Sequence, residues 1–455
     1  MQQEVNFSQG KILGPLVRFA LPVLAALFLQ SMYGAVDLLV VGQFSAAADV
    51  SAVATGAQIM LTLTNLISAL AMGLTIILGQ QIGRGERKKG GETIGAGIML
   101  FFVAGLILTA LMAGPSALIA QIMHAPAEAF DLTVAYVRIC GGGAIIIIAY
   151  NLIGSIFRGL GDSRTPLITV AIACVANIAG DLLLVAGLGL GAAGAAIATV
   201  GAQAVSVVIS LALIRRRTLP FLFSLSDIRW HRPVIRKILS LGVPIAFSDL
   251  LVGISFLIIT AIVNALGVIP SAGIGVAERI CGFIMLVPSS FMQSLAAFVA
   301  QNVGAGRFDR AIKTLRYGIG LSLCAGLFMG WLAFFHGDLL SGIFAHDPQI
   351  IAASYDYLKA YGIDCLLTAF FFCFIGFFNG IGMTRFVMLQ GIVSAFLIRV
   401  PVSYLMSRQD PVSLFHIGLA TPCSSAVQII MCLIAMYYVR KKVIPHCQSS
   451  EKSAR

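Results

Sequence analysis

The sequence predicts an all-α integral membrane protein: twelve transmembrane helices in two six-helix bundles, related by a pseudo-two-fold axis along the membrane normal. Three observations predict it. Of 455 residues, 59% are hydrophobic and only 11% charged, against about 25% charged in soluble globular proteins. The apolar residues gather into twelve runs of membrane-spanning length. Loop sequences recur in the second half of the chain at a constant spacing.

The mean hydropathy of +0.96 excludes a soluble enzyme, which would expose too much apolar surface, and excludes a disordered chain. Nine Cys in 455 residues are too sparse for a secreted disulfide scaffold. The apolar runs lie near 16–44, 51–79, 93–113, 132–156, 166–186, 192–214, 238–266, 272–300, 314–335, 354–378, 387–407 and 414–438. About 20 apolar residues cross a bilayer as a helix. The first run is too long for a signal-peptide core of roughly 7–15 residues, so it reads as a retained span. Gly, Pro and charged residues break the chain between runs.

The second run ends in Gln80-Gln81-Ile82-Gly83-Arg84-Gly85, and the eighth in Gln301-Asn302-Val303-Gly304-Ala305-Gly306. At the same spacing, Arg158-Gly159-Leu160-Gly161-Asp162-Ser163-Arg164 after the fourth run matches Asn379-Gly380-Ile381-Gly382-Met383-Thr384-Arg385 after the tenth. Pro22 of the first run answers Pro244 of the seventh. Six spans separate the copies, so both bundles have the same orientation and the relating axis runs along the membrane normal. The expected division is a first bundle over 1–214, a basic linker over 215–237, a second bundle over 238–442 and a tail over 443–455. Phe221, Leu222, Phe223 and Trp230 fit a linker lying at the membrane interface as well as a solvated one.

With the N-terminus placed inside, the inner loops and ends hold 25 of the 30 Lys and Arg. The outer loops hold Arg408; Arg138, Arg279, Lys359 and Arg399 fall within spans. The positive-inside rule then places both termini in the cytoplasm and the chain in the cell (inner) membrane. It also accounts for the net charge of +11 through anionic membrane lipids, without nucleic acid.

The glycine pairs Gly83/Gly85 and Gly159/Gly161 end membrane helices and follow no strand, so turn formation and close helix packing explain them better than phosphate binding. No P-loop, HExxH, CxxC or EF-hand pattern is present, and no local motif marks an enzyme. The chemistry-bearing residues are acids inside spans: Asp37, Asp181, Asp249, Glu278 and Asp364. Such residues are costly, at about 2.5–3.5 kcal/mol on insertion scales, and face protein or a cavity. By helical rise, Asp37, Asp181 and Thr199 lie roughly 8–10 Å below the outer ends of the first, fifth and sixth spans. Asn177 shares the face of Asp181. These four either pin three helices together or form a cation site, which a proton or Na⁺ would neutralise if Arg138 faces elsewhere. In the second half, Glu278 lies about 9 Å and Asp364 about 15 Å deep. Arg399 is a candidate partner for Asp364, and Asp249 has no evident partner.

Together these residues resemble the multidrug and toxic compound extrusion (MATE) transporters. The resemblance spans nearly the whole chain. It rests on the two six-span repeats, the glycine-containing loops after the second and eighth spans, and the stretch Arg158–Pro166. The pair Asn177/Asp181 and the small-residue segment Gly191–Thr199 complete it. It implies a V-shaped pair of bundles exporting small organic cations in exchange for H⁺ or Na⁺ by alternating access, with no other cofactor, as a functional monomer. Asp37, Asn177, Asp181 and Thr199 look like the first-lobe cation site of the prokaryotic branch. Glu278 and Asp364 resemble acids that other members carry in the second lobe. The alternative is a lipid-linked oligosaccharide flippase of the same superfamily, which needs a cationic cavity.

Overall fold

A computed structural model describes residues 7–215 and 221–443. Arg216, Arg217 and the tail from residue 444 lie outside the described residues. The described chain is helical throughout, as the lipid phase requires, since only there does every backbone group find an internal partner. The twelve spans are α1 Leu13–Phe44, α2 Ala47–Arg84, α3 Lys88–Ala113, α4 (a bent pair, Ala127–Gly142 and Ala144–Leu160), α5 Arg164–Gly187 and α6 Gly191–Arg215. Then follow α7 Arg232–Asn264, α8 Val268–Gly304, α9 Phe308–Phe335, α10 Pro348–Gly380, α11 Thr384–Ser407 and α12 Leu414–Lys441.

Every expected span is present, most with a few extra residues at their ends. The fourth span, expected as one apolar run over 132–156, is bent by 52°. The break falls at Gly143, where a Cβ would press on Val200 of α6. The α8 span is also interrupted, at Met285, three residues before Pro288. Proline removes a helical donor and crowds the preceding turn, which explains the position.

The repeat is visible in the backbone. Gly85 and Gly306 carry φ of 72° and 70°, and Gly161 and Gly382 carry 83° and 89°. Left-handed glycine is the usual way to end a helix. Packing repeats as well. A Cβ on Gly159 would sit 3.0 Å from Leu78 Cβ and 3.1 Å from Thr75 O; one on Gly380 would sit 2.8 Å from Val299 Cβ and 2.8 Å from Ala296 O. Thr75 and Leu78 stand to Gly159 as Ala296 and Val299 stand to Gly380.

The compact units do not divide at the linker. Among the described residues, one comprises those between 21 and 246, the other 7–20 with 247–443. Helices α1 and α7 are each shared, one turn from Pro22 and Pro244. In the first unit the early turns of α7 lie on α2: Gly73 faces Ile238 O and Gly242 N. The linker packs too. Phe221 is buried in the apolar core with Leu74, Ile77 and Ile238. Leu222 and Asp227 lie against α3, where Gly91 and Gly95 leave room for their backbone. The described part of the linker is therefore a strap across the basic-loop end of α3, with Leu222 and Trp230 outward.

In the second unit a clamp holds the segment before α1. Arg310 donates through Nε to Phe7 O (2.8 Å), through Nη1 to Gly10 O (2.7 Å) and through Nη2 to Gln9 O (2.8 Å) and Lys11 O (3.2 Å). Arg307 Nη1 donates to Ser8 O at 2.6 Å. Phe7 is fully buried, stacked on Phe298 at 4.4 Å and edge-on to Phe19 at 5.2 Å.

Two predictions follow from this packing. Gly159→Leu and Gly380→Leu should each lower stability by about 1–3 kcal/mol through overpacking, read as a fall in the thermal midpoint in detergent. Gly320→Ala, with open space around its Cα, should cause no loss. Arg310→Ala removes charge-assisted bonds worth about 1.5–3 kcal/mol each. Amide exchange over residues 8–12 should accelerate by at least about tenfold.

Candidate functional site

The first unit brings together the four residues expected there. Asn177 and Asp181 project from one face of α5, one turn apart, and both are fully buried. Asp37 of α1 is 3% exposed and accepts a 3.0 Å hydrogen bond from Thr199 Oγ1 of α6. The carboxyl of Asp181 and the amide of Asn177 stand against the carboxyl of Asp37.

Small residues make this approach feasible. Gly191, Ala192, Gly194, Ala195, Ala196 and Ala198 are buried, and a Cβ on Gly180 would lie 2.9 Å from Ala198 Cβ. Small residues let membrane helices approach closely, here α5 and α6. The α6 start is fixed by Asp49, whose Oδ1 accepts from Ala192 N at 2.8 Å. After Asp181 the helix widens into a π-helical turn over Leu182–Gly187, a feature that is frequent at functional sites.

Asp37 Oδ1, both oxygens of Asp181 and both amide atoms of Asn177 are buried without hydrogen-bond partners. Each such atom costs about 1–3 kcal/mol. Ionised carboxylates have no donor to give one another, so Asp37 and Asp181 can share this space only with a proton or a cation between them. Their charge finds no base. Arg138 is exposed and its Nε donates to Ser116 Oγ at 3.3 Å. Among the described residues no ion pair involves Asp37 or Asp181. The set offers carboxylate, amide and hydroxyl oxygens, the hard donors that Na⁺ takes.

Two further residues border the site that the sequence did not single out. Tyr136 and Cys140 of α4, one turn apart and buried, face Asp37. Gly56 of α2 leaves the room that the Tyr136 ring fills. The only signal available was the helical spacing of Tyr136 and Cys140 around Arg138, which points away.

The second unit is arranged differently. Asp364 is 1% exposed, its Oδ1 has no partner, and Ser425 of α12 stands beside it. Arg399, the candidate partner, makes no ion pair with Asp364 among the described residues. Arg399 Nη1 instead donates to Ser255 Oγ at 3.1 Å, and its guanidinium lies over the Phe256 ring at 4.5 Å. The π-helical turn Val393–Arg399 carries Arg399 toward α7. Glu278 accepts from Thr260 Oγ1 at 3.0 Å and touches neither Asp364 nor Arg279 through any hydrogen bond or ion pair among the described residues. Asp249 is exposed and makes no ion pair among the described residues. Lys359 pairs with Asp356 at 3.8 Å.

A twelve-span helical protein with matched halves and a base-free carboxylate cluster belongs to the class of multi-pass membrane transporters. Residues 22–183 and 244–405 both match the MatE family, one match per repeat, and the chain belongs to that family. It is 28% identical over 417 residues to the probable multidrug resistance protein YpnP of Bacillus subtilis, covering 88% of this chain and 90% of that one. It is 25% identical to the probable multidrug resistance protein NorM of Thermotoga maritima, covering 89% and 86%. Its fold matches the crystal structure of MATE in the straight conformation with a TM-score of 0.89 at 19% identity, over 99% of this chain and 100% of that one. An outward-facing multidrug resistance MATE transporter of the MOP superfamily matches equally, at a TM-score of 0.89 and 19% identity over 99% of each chain.

The bond from Thr199 Oγ1 ties α6 to Asp37 of α1. Thr199→Val should lower stability by about 1 kcal/mol, the scale of interhelical hydrogen bonds in membranes. Thr199→Ser should restore it, as read by the thermal midpoint.

Proposed function

We propose that this protein is a secondary active multidrug exporter of the cell membrane, with both termini cytoplasmic. It exchanges small organic cations for H⁺, with Na⁺ as the alternative coupling ion, by alternating access and as a monomer. The observation that carries the reading is the Asp37–Asp181 pair, buried beside Asn177 and Thr199 with no base. Such a pair is neutralised by an entering cation and must shed it before an organic cation competes for the same charge. The relatives' names, multidrug resistance and multidrug export proteins, support multidrug export. An oligosaccharide flippase is disfavoured by this acidity, since a pyrophosphate carrier requires positive charge.

One elementary charge crossing 100 mV is worth about 2.3 kcal/mol. That sustains a substrate gradient of roughly 40- to 50-fold where net charge moves. A monovalent drug exchanged for one H⁺ or Na⁺ moves none, and then only the chemical gradient drives export. H⁺ is favoured because one buried carboxyl holds a proton alone, whereas Na⁺ needs several oxygens around it.

Asp37→Asn and Asp181→Asn should each reduce gradient-driven efflux of a cationic dye from liposomes to background, with folded protein still in the membrane. Wild-type rates in both would assign the cluster to helix pinning. Uphill efflux at symmetric pH, with a proton ionophore and an inward Na⁺ gradient, would replace H⁺ by Na⁺ as the driving ion.

A further inference from the structure

The strap between α6 and α7 turns apolar side chains outward. Between the buried Phe221 and the start of α7, Leu222 is 69% exposed, Leu225 80%, Ile228 36% and Trp230 52%. Exposed apolar residues gathered in one place mark a binding or membrane surface. Their outward pose is built into the strap. Ser224 N donates to Asp227 Oδ2 at 2.8 Å and closes the turn Leu225–Asp227. Gly91 and Gly95 of α3 admit Leu222 O and Asp227 O where a Cβ would stand, so the backbone lies flush on the helix. Asp227, the one acid between 221 and 230, is occupied by that turn.

The place of the strap on α3 decides what its outer side meets. Gly91 and Gly95 open a face of α3 that continues through Ile98 to Phe102 and Leu106, at steps of four, three, four and four residues. Phe102 and Leu106 are exposed on a transmembrane helix, where the surrounding medium is lipid. The span Lys88–Ala113 has 26 residues, about 39 Å by helical rise, against a hydrocarbon core of about 30 Å. Centred on that core, α3 enters it about three residues from either end. The strap therefore crosses α3 at the headgroup boundary, over the edge of its lipid-facing side. Charge at this level is positive. Arg229, Arg232 and Arg236 are exposed, and Lys237 stands with Arg84 and Lys89 around a single Glu86.

We propose that the strap over 222–230 is an interfacial anchor: it inserts Leu222, Leu225, Ile228 and Trp230 into the leaflet at the basic-loop end and gathers anionic phospholipid there. Aromatic residues such as Trp230 settle at headgroup level, apolar side chains of an interfacial segment sink to the acyl boundary, and the surplus bases attract lipid phosphate. The anchor holds whatever the protein transports.

Tryptophan fluorescence of the full-length protein in lipid vesicles tests it, because the chain has two Trp and Trp331, exposed on α9, can be replaced by Phe. In phosphatidylcholine brominated high in the acyl chain, Trp230 emission should fall at least about twofold relative to unbrominated lipid, as an inserted side chain requires. In equimolar phosphatidylcholine and phosphatidylglycerol, brominating only the phosphatidylglycerol should quench at least about twofold more than brominating only the phosphatidylcholine, as gathered anionic lipid requires. If Trp331→Phe does not fold, the difference between the unmodified protein and Trp230→Phe gives the same reading. Trp230 emission untouched by brominated lipid puts the strap in water or under a protein partner and overturns the proposal. Equal quenching by the two lipids overturns it as well, since the bases then gather nothing. Neither readout involves dye transport, so a failure of the exporter reading leaves both interpretable.

Discussion

Two carboxyl groups held against one another without a base are the constraint around which the first unit is built. Inside a membrane protein an acid is normally paired or placed in a cavity. Here the surrounding helices keep it short of partners. Small residues on α5 and α6 bring Asp181 and Thr199 close to Asp37, and on α4 Tyr136 and Cys140 are buried while Arg138 between them is exposed and bonded to Ser116. The packing is thus spent on holding two acids together with no base beside them among the described residues.

The two halves share a scaffold and differ in chemistry. Glycine turns and glycine contacts repeat at matched positions, down to the residues that each glycine touches. The acids do not. Asp37 lies fifteen residues beyond Pro22, and the corresponding place beyond Pro244 is held by Ile259, which is 1% exposed. In the second unit the acids sit on α8 and α10, and a buried Arg399 is held by Ser255 and Phe256. Backbone packing tolerates little change at close contacts, whereas a polar side chain can be moved between helices so long as it stays shielded from lipid.

Most of the fold was legible because hydropathy and loop composition report directly on the lipid phase. The α4 bend was not, since Ala144-Ile145-Ile146-Ile147-Ile148 carries the apolar run straight past Gly143. The four-residue cluster was legible from helical spacing and depth: Asn177 and Asp181 had to share a face, and Thr199 returns across a short hairpin. Whether Arg399 meets Asp364 was left open because spacing fixes depth and not azimuth, and a π-helical turn shifts azimuth further. The clamp on Phe7–Lys11 was invisible for a different reason. Its donors bind backbone carbonyls, which every sequence has, and Phe7 is a single apolar residue in a polar stretch.

The sharing of α1 and α7 between units bears on how the chain is made at the ribosome. Phe7 emerges first, yet the ring it stacks on, Phe298, and the guanidinium that holds its carbonyl, Arg310, are synthesised some 300 residues later. The first unit likewise lacks the opening turns of α7 until residue 246 has been translated. Neither half can close its own packing as it leaves the translation machinery. The first span must wait in the bilayer with its leading segment unclaimed, and final assembly of both halves is delayed to the second half of synthesis.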